Sequence, residues 1–100
     1  MSDGIIVTIN FSFKPGTAQA FAAALPGMFE ATRARKGFRS IRAVLGQADP
    51  DRMLFVEEWD SAADYQAYLD WRSSRGEDLS SMEAMLTAPP TLEIWDKPVA

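Results

Sequence analysis

Residues 68 to 76, YLDWRSSRG, place Tyr68, Trp71, Arg72 and Arg75 within three turns of an expected helix. Trp71 and Arg72 follow Tyr68 by three and four positions, so the three side chains crowd one side. Two chemistries fit. An arginine can simply stack on an indole, worth about 0.5–1 kcal/mol at a surface. Alternatively, a guanidinium beside a phenol can stabilise a phenolate or enolate formed in a pocket. A phenol gives and takes hydrogen bonds and can hold a phenolic ligand. Tyr68 and Arg72 are therefore the candidate catalytic residues. Trp59, Tyr65 and Trp71 are candidates to contact a flat substrate, and each could equally serve as packing. Arg72 is also expected to need a carboxylate or ligand partner if buried, with Glu57 or Glu58 as candidates.

The chain has no histidine and no cysteine. That removes a Ser-His-Asp triad, a cysteine nucleophile and any zinc site of the usual nitrogen and sulfur donors. It also removes histidine or thiolate ligation of haem iron. Neither a metal nor an organic cofactor is expected. Glu57 and Glu58 are adjacent and alternate faces of a strand, so they do not form a carboxylate pair. Salt bridges to Arg39 or Arg42 are their expected role.

These side chains need elements to hold them. Val7, Ile9, Phe11 and Phe13 alternate with Thr8, Asn10 and Ser12, the period of a strand with unlike faces. Lys14-Pro15-Gly16 is type II turn chemistry, and Thr17 is the expected cap of a helix reaching about Lys36. Its apolar stripe is Phe21, Leu25, Met28, Phe29 and Thr32, and Pro26-Gly27 predicts a kink or break. A second strand is expected from Phe38 to about Gly46 and a third from Arg52 to Trp59. Ser61 and Asp64 open a second helix ending near Gly76. Leu79, Met82, Met85 and Leu86 mark a short further helix, and Thr91 to about Asp96 a last strand. The order β-α-β-β-α-(α)-β reads as α+β: a ferredoxin-like split β-α-β sandwich, a four-stranded antiparallel sheet with helices on one face.

One hundred residues make a single domain, 1–100. A domain this small leaves much apolar surface uncovered. Leu54 and Val56 lie opposite Met53 and Phe55 on their strand, so both sheet faces should be covered, one by a second copy. A net charge of −4 argues against nucleic acid and anionic membranes as partners. No apolar run reaches membrane length, and the start of the chain lacks signal-peptide character. The cytoplasm is the default compartment.

Three stretches, in order and spacing, resemble the antibiotic biosynthesis monooxygenase (ABM) domains. They are KPG at 14–16, RARKGFRSIR at 33–42 and FVEEWDSAADYQAYL at 55–69. The resemblance implies a homodimeric α/β barrel with a pocket between sheet and helices in each subunit. It also implies cofactor-independent monooxygenation of a flat aromatic or quinol-like molecule. The alternative is a dimeric small-molecule-binding domain of the same fold without catalysis. Many members carry a histidine nine residues after the Trp that ends strand three. Tyr68 stands there in this chain. The haem-degrading branch has an asparagine where this chain has Ile9, and Asn10 points to the opposite face.

Overall fold

The computed structural model describes residues 4–100. Its elements are β1 (Ile5–Ser12), α1 (Thr17–Arg33), β2 (Phe38–Leu45), β3 (Arg52–Trp59), α2 (Ala62–Ser74) and β4 (Thr91–Trp95). A 3-10 segment, Leu79–Met85, lies between α2 and β4 and is called the strap below. The strands form one antiparallel sheet in the order β2-β3-β1-β4. This is the split β-α-β arrangement expected from the sequence.

Alternation on β1 and β3 sets the core face. Val7, Ile9 and Phe11 of β1 are buried with Met53, Phe55 and Trp59 of β3. Ile9 lies opposite Phe55, and Val7 opposite Glu57. Phe21, Leu25 and Phe29 of α1 pack into the same core, as does Tyr65 of α2. The centre is aromatic: Phe11 meets Phe55 edge-on at 4.9 Å between centroids, and Phe29 meets Phe55 edge-on at 5.5 Å. Such edge contacts add about 0.5–1.5 kcal/mol beyond area burial. The opposite sheet face carries Ile6, Leu54 and Val56, half-buried, and Val44 and Trp95, each 49% exposed.

Three local expectations need correction. Thr17 does not cap α1: Gly16 is the N-cap, with φ 80°, and the Thr17 hydroxyl donates to the carbonyls of Lys14 and Met85. The expected turn is present, closed by the Thr17 N–H on the Lys14 carbonyl at 3.0 Å, and its positive φ is what requires glycine. Of the kink or break expected at Pro26-Gly27, the break is absent: α1 continues through Pro26, and it stops at Arg33, not Lys36. Pro26 and Gly27 both face solvent, so water can satisfy the carbonyl the proline leaves unbonded.

α2 starts as read, with Ser61 accepting from the Asp64 N–H at 3.1 Å. After α2 the chain turns at Gly76, with φ 71°, and the strap crosses the space between helices and sheet. Its far end is stitched to the end of β1: the Lys14 N–H donates to the Met85 carbonyl, and Thr87 N–H to the Ser12 carbonyl, both at 2.8 Å.

Candidate functional site

Between the core face of the sheet, α1, α2 and the strap lies a cavity of about 610 Å³. Its walls are mostly apolar. The sheet contributes Ile9, Phe11 and Phe55, α1 contributes Met28 and Phe29, and the strap contributes Leu79 and Met82. A volume of this size suits a small organic molecule. A few polar groups interrupt the apolar wall: Glu57, Tyr65, Tyr68, Thr32 and Arg72.

Glu57 is the group the sequence reading misplaced. It does not pair with Arg39 or Arg42. Arg39 bonds Asp60 instead, at 2.6 Å. Glu57 belongs to the core row of β3, between Phe55 and Trp59, and is 2% exposed. One carboxylate oxygen accepts from the Trp59 indole N–H at 3.1 Å. Its other oxygen takes no hydrogen bond among the described residues. Burial pushes its carboxyl up from the ordinary 4.5 to about 7, against the opposing pull of the indole hydrogen bond and the Arg72 charge. A carboxyl poised near neutrality at a cavity wall has the properties of a general base.

Arg72 is 6% exposed and bonded through all three guanidinium nitrogens. Nε donates to the Tyr68 hydroxyl at 3.1 Å, and Nη1 to Glu77 at 3.2 Å. Nη2 donates to the Met28 carbonyl at 2.9 Å and to the Thr32 hydroxyl at 3.0 Å. The carboxylate partner is thus Glu77, on the loop after α2, and not Glu57 or Glu58. Glu77 also pairs with Arg75, and that hydrogen bond is the main reason its carboxyl is held below the ordinary range.

The hydroxyl directions follow from counting protons. Thr32 donates its one proton to the Met28 carbonyl at 3.1 Å. Its oxygen, 3.0 Å from the Tyr68 oxygen, must then accept from Tyr68. Tyr68 therefore spends its proton on Thr32 and accepts from Arg72, and its side chain lines the cavity.

Tyr65 is 1% exposed, lines the cavity, and its hydroxyl has no hydrogen-bond partner among the described residues. Burial first, then the nearby Glu57 charge, drives its pKa up, so it remains a neutral proton donor. Trp59 is fully buried behind this group. It meets Tyr65 at 5.5 Å and Tyr68 at 4.9 Å between centroids and is not part of the cavity wall.

Trp71 is not on the wall either. Guanidiniums surround it instead: Arg35 at 4.3 Å, Arg75 at 5.0 Å and Arg72 at 5.1 Å from the ring centroid. The opening stretch therefore divides. Tyr68 and Arg72 reach the cavity, while Trp71 and Arg75 form a surface stack.

The family model for antibiotic biosynthesis monooxygenases matches residues 4–75. The chain belongs to the ABM family. Solved structures share its fold across nearly their whole length. A conserved protein from Methanosarcina mazei Go1 superposes with TM-score 0.82 at 18% identity, covering 95% of this chain and 93% of its own. A protein from Pseudomonas aeruginosa gives TM-score 0.77 at 20% identity, covering 99% and 98%. A structure described as an antibiotic biosynthesis monooxygenase gives 0.78 at 18%, covering 92% and 96%. At these identities the likeness establishes the fold of this ABM domain and nothing finer. A comparison with curated proteins found no match. No helix among the described residues is long and apolar enough to cross a membrane.

Proposed function

We propose that this ABM domain, acting as one unit over residues 1–100, is a cofactor-independent monooxygenase for a flat aromatic or quinol-like molecule. The observation that carries the reading is Glu57: a buried carboxyl with a pKa of about 7, on the wall of a 610 Å³ apolar cavity, with one oxygen unbonded among the described residues. For an anthrone-type substrate, Glu57 takes a proton from the ring methylene and leaves an enolate. The enolate gives one electron to O₂, and recombination forms a C–O bond to a peroxide, which regains the proton from Glu57. Loss of the second methylene proton, with departure of the distal oxygen as water, leaves a carbonyl. One CH₂ and one O₂ become one C=O and one H₂O.

The other residues support these steps. Tyr65 donates to the ligand oxygen on which negative charge develops. Tyr68 lines the cavity, with its orientation fixed by Thr32 and Arg72. Arg72 lends positive charge through Tyr68. Trp59 holds Glu57 in place, and Trp71 holds α2 against the turn after α1 through Arg35. The apolar wall excludes water from the anion.

The same reading has a second copy of the chain covering the Ile6, Val44, Leu54, Val56 and Trp95 face, giving a homodimer in the cytoplasm. No nucleic acid or membrane partner and no cofactor is involved. Oxygen uptake with anthrone in the presence of EDTA tests the activity. One O₂ should be consumed per anthraquinone formed, at a rate proportional to protein. Anthrone that binds without oxygen uptake would reduce the protein to the binding domain that is the alternative reading.

A further inference from the structure

Tyr65 has a proton to donate at the cavity wall. Its side chain lines the cavity, and its buried hydroxyl meets no acceptor among the described residues. An unpaired buried hydroxyl is costly, and its neighbours could have been arranged to satisfy it. On the same wall, one oxygen of Glu57 faces no donor among the described residues. Trp59 backs both groups, bonding Glu57 at 3.1 Å and meeting the Tyr65 ring at 5.5 Å, so the donor and the acceptor share one region of the wall.

The charge around the cavity is lopsided. Among the described residues, Glu57, Asp70, Glu77 and Asp78 contribute to its lining, against Arg72 alone among cations. Arg72 is already committed to Glu77, Thr32, Met28 and Tyr68. Glu77 is likewise paired, with Arg72 and Arg75, so a ligand with its own carboxylate would meet Glu57, Asp70 and Asp78 and no uncommitted cation among the described lining residues.

We infer that the cavity selects uncharged aromatic ligands that present a carbonyl-type acceptor to Tyr65 and, to Glu57, the group whose proton it takes (a hydroxyl in a quinol, the acidic methylene in an anthrone), and rejects ligands bearing a permanent negative charge. The inference rests on the substrate reading above and narrows it. Tyr65 and Glu57 specify the oxygen pattern of the ligand, and the acidic lining specifies its charge.

Three flat probes that O₂ does not oxidise separate the elements: 6-hydroxyflavone (acceptor and donor), flavone (acceptor only) and flavone-6-carboxylate (acceptor and charge). Calorimetric titration at pH 8, where Glu57 is mostly ionised, should rank 6-hydroxyflavone first. Flavone should bind roughly 3- to 10-fold more weakly, the worth of one hydrogen bond, and flavone-6-carboxylate more weakly still. Tyr65→Phe should weaken 6-hydroxyflavone and flavone alike by a similar factor and raise the melting temperature of the free protein, because it deletes the unpaired hydroxyl. Glu57→Gln should narrow the gap between 6-hydroxyflavone and flavone.

Unchanged affinities or a lowered melting temperature in Tyr65→Phe would overturn the Tyr65 assignment. Flavone-6-carboxylate binding as tightly as 6-hydroxyflavone, or no binding of any probe, would overturn the selection itself. Because no probe turns over, ligand selection with no oxygen uptake on anthrone would refute oxygenation and leave this inference standing.

Discussion

Replacing Glu57 with glutamine should make the protein more stable, by an amount that depends on pH. The glutamine carbonyl can still accept from the Trp59 indole, so the substitution removes the titration and little else. Moving a carboxyl from 4.5 to about 7, at about 1.4 kcal/mol per tenfold, corresponds to about 3 kcal/mol. Below pH 4.5 both the folded and unfolded chains hold the proton, and Glu57 costs nothing. Between pH 4.5 and 7 only the unfolded chain releases it, so wild-type stability falls as pH rises. Above 7 the whole penalty is present. Glu57→Gln should therefore match wild type near pH 4 and exceed it by up to about 3 kcal/mol at pH 8. Urea unfolding of both proteins at pH 4, 6 and 8, at one fixed protein concentration, reads this difference directly. A difference that stays flat, or that favours wild type as pH rises, would refute a buried, proton-retaining Glu57.

Arg72→Met should destabilise the fold by about 3 kcal/mol or more, because it strips the partner from a buried network. The melting temperature should fall even without ligand, and an unchanged value would show that the network carries no stability. Trp71→Ala removes a surface stack worth about 1 kcal/mol and should leave ligand affinity unchanged; a lost affinity would place Trp71 in the site. Sedimentation should give about twice the 11.1 kDa chain, and Val56→Lys, which sets a charge in the apolar outer face, should shift it toward the monomer. An unaltered dimer would mean that this face is not the interface.

The fold was legible in the sequence because its signals are local. Alternation from Val7 to Phe13, the Pro15-Gly16 turn and the Ser61 cap each act within a few residues. The site was only partly legible. Tyr65, Tyr68 and Arg72 share one helical face, and helical spacing alone brings them to the cavity. Glu57 was misread although its signal was present: it occupies the odd-numbered row of Met53, Phe55 and Trp59, where an acid must be buried. Adjacency to Glu58 suggested a surface ion pair and masked that row. Glu77 and Thr32 could not be assigned to Arg72 from spacing, because their contacts depend on how the post-α2 turn and α1 fold back against α2. Trp71 was misplaced for a related reason. Its place three positions after Tyr68 was clear, but Arg35 reaches it only because the turn after α1 folds back beside α2.

The pH dependence of oxygen-dependent turnover, measured in wild type and Glu57→Gln, tests the central claim most directly. A general base must be ionised to act, so wild-type kcat/KM, which reports the free enzyme, should rise with pH through about 7 and then level off. Glu57→Gln should turn over roughly 100-fold or more slowly and lose that inflection. An equal rate with the same pH profile in the glutamine variant would contradict the account, because the proton would then leave the substrate without Glu57.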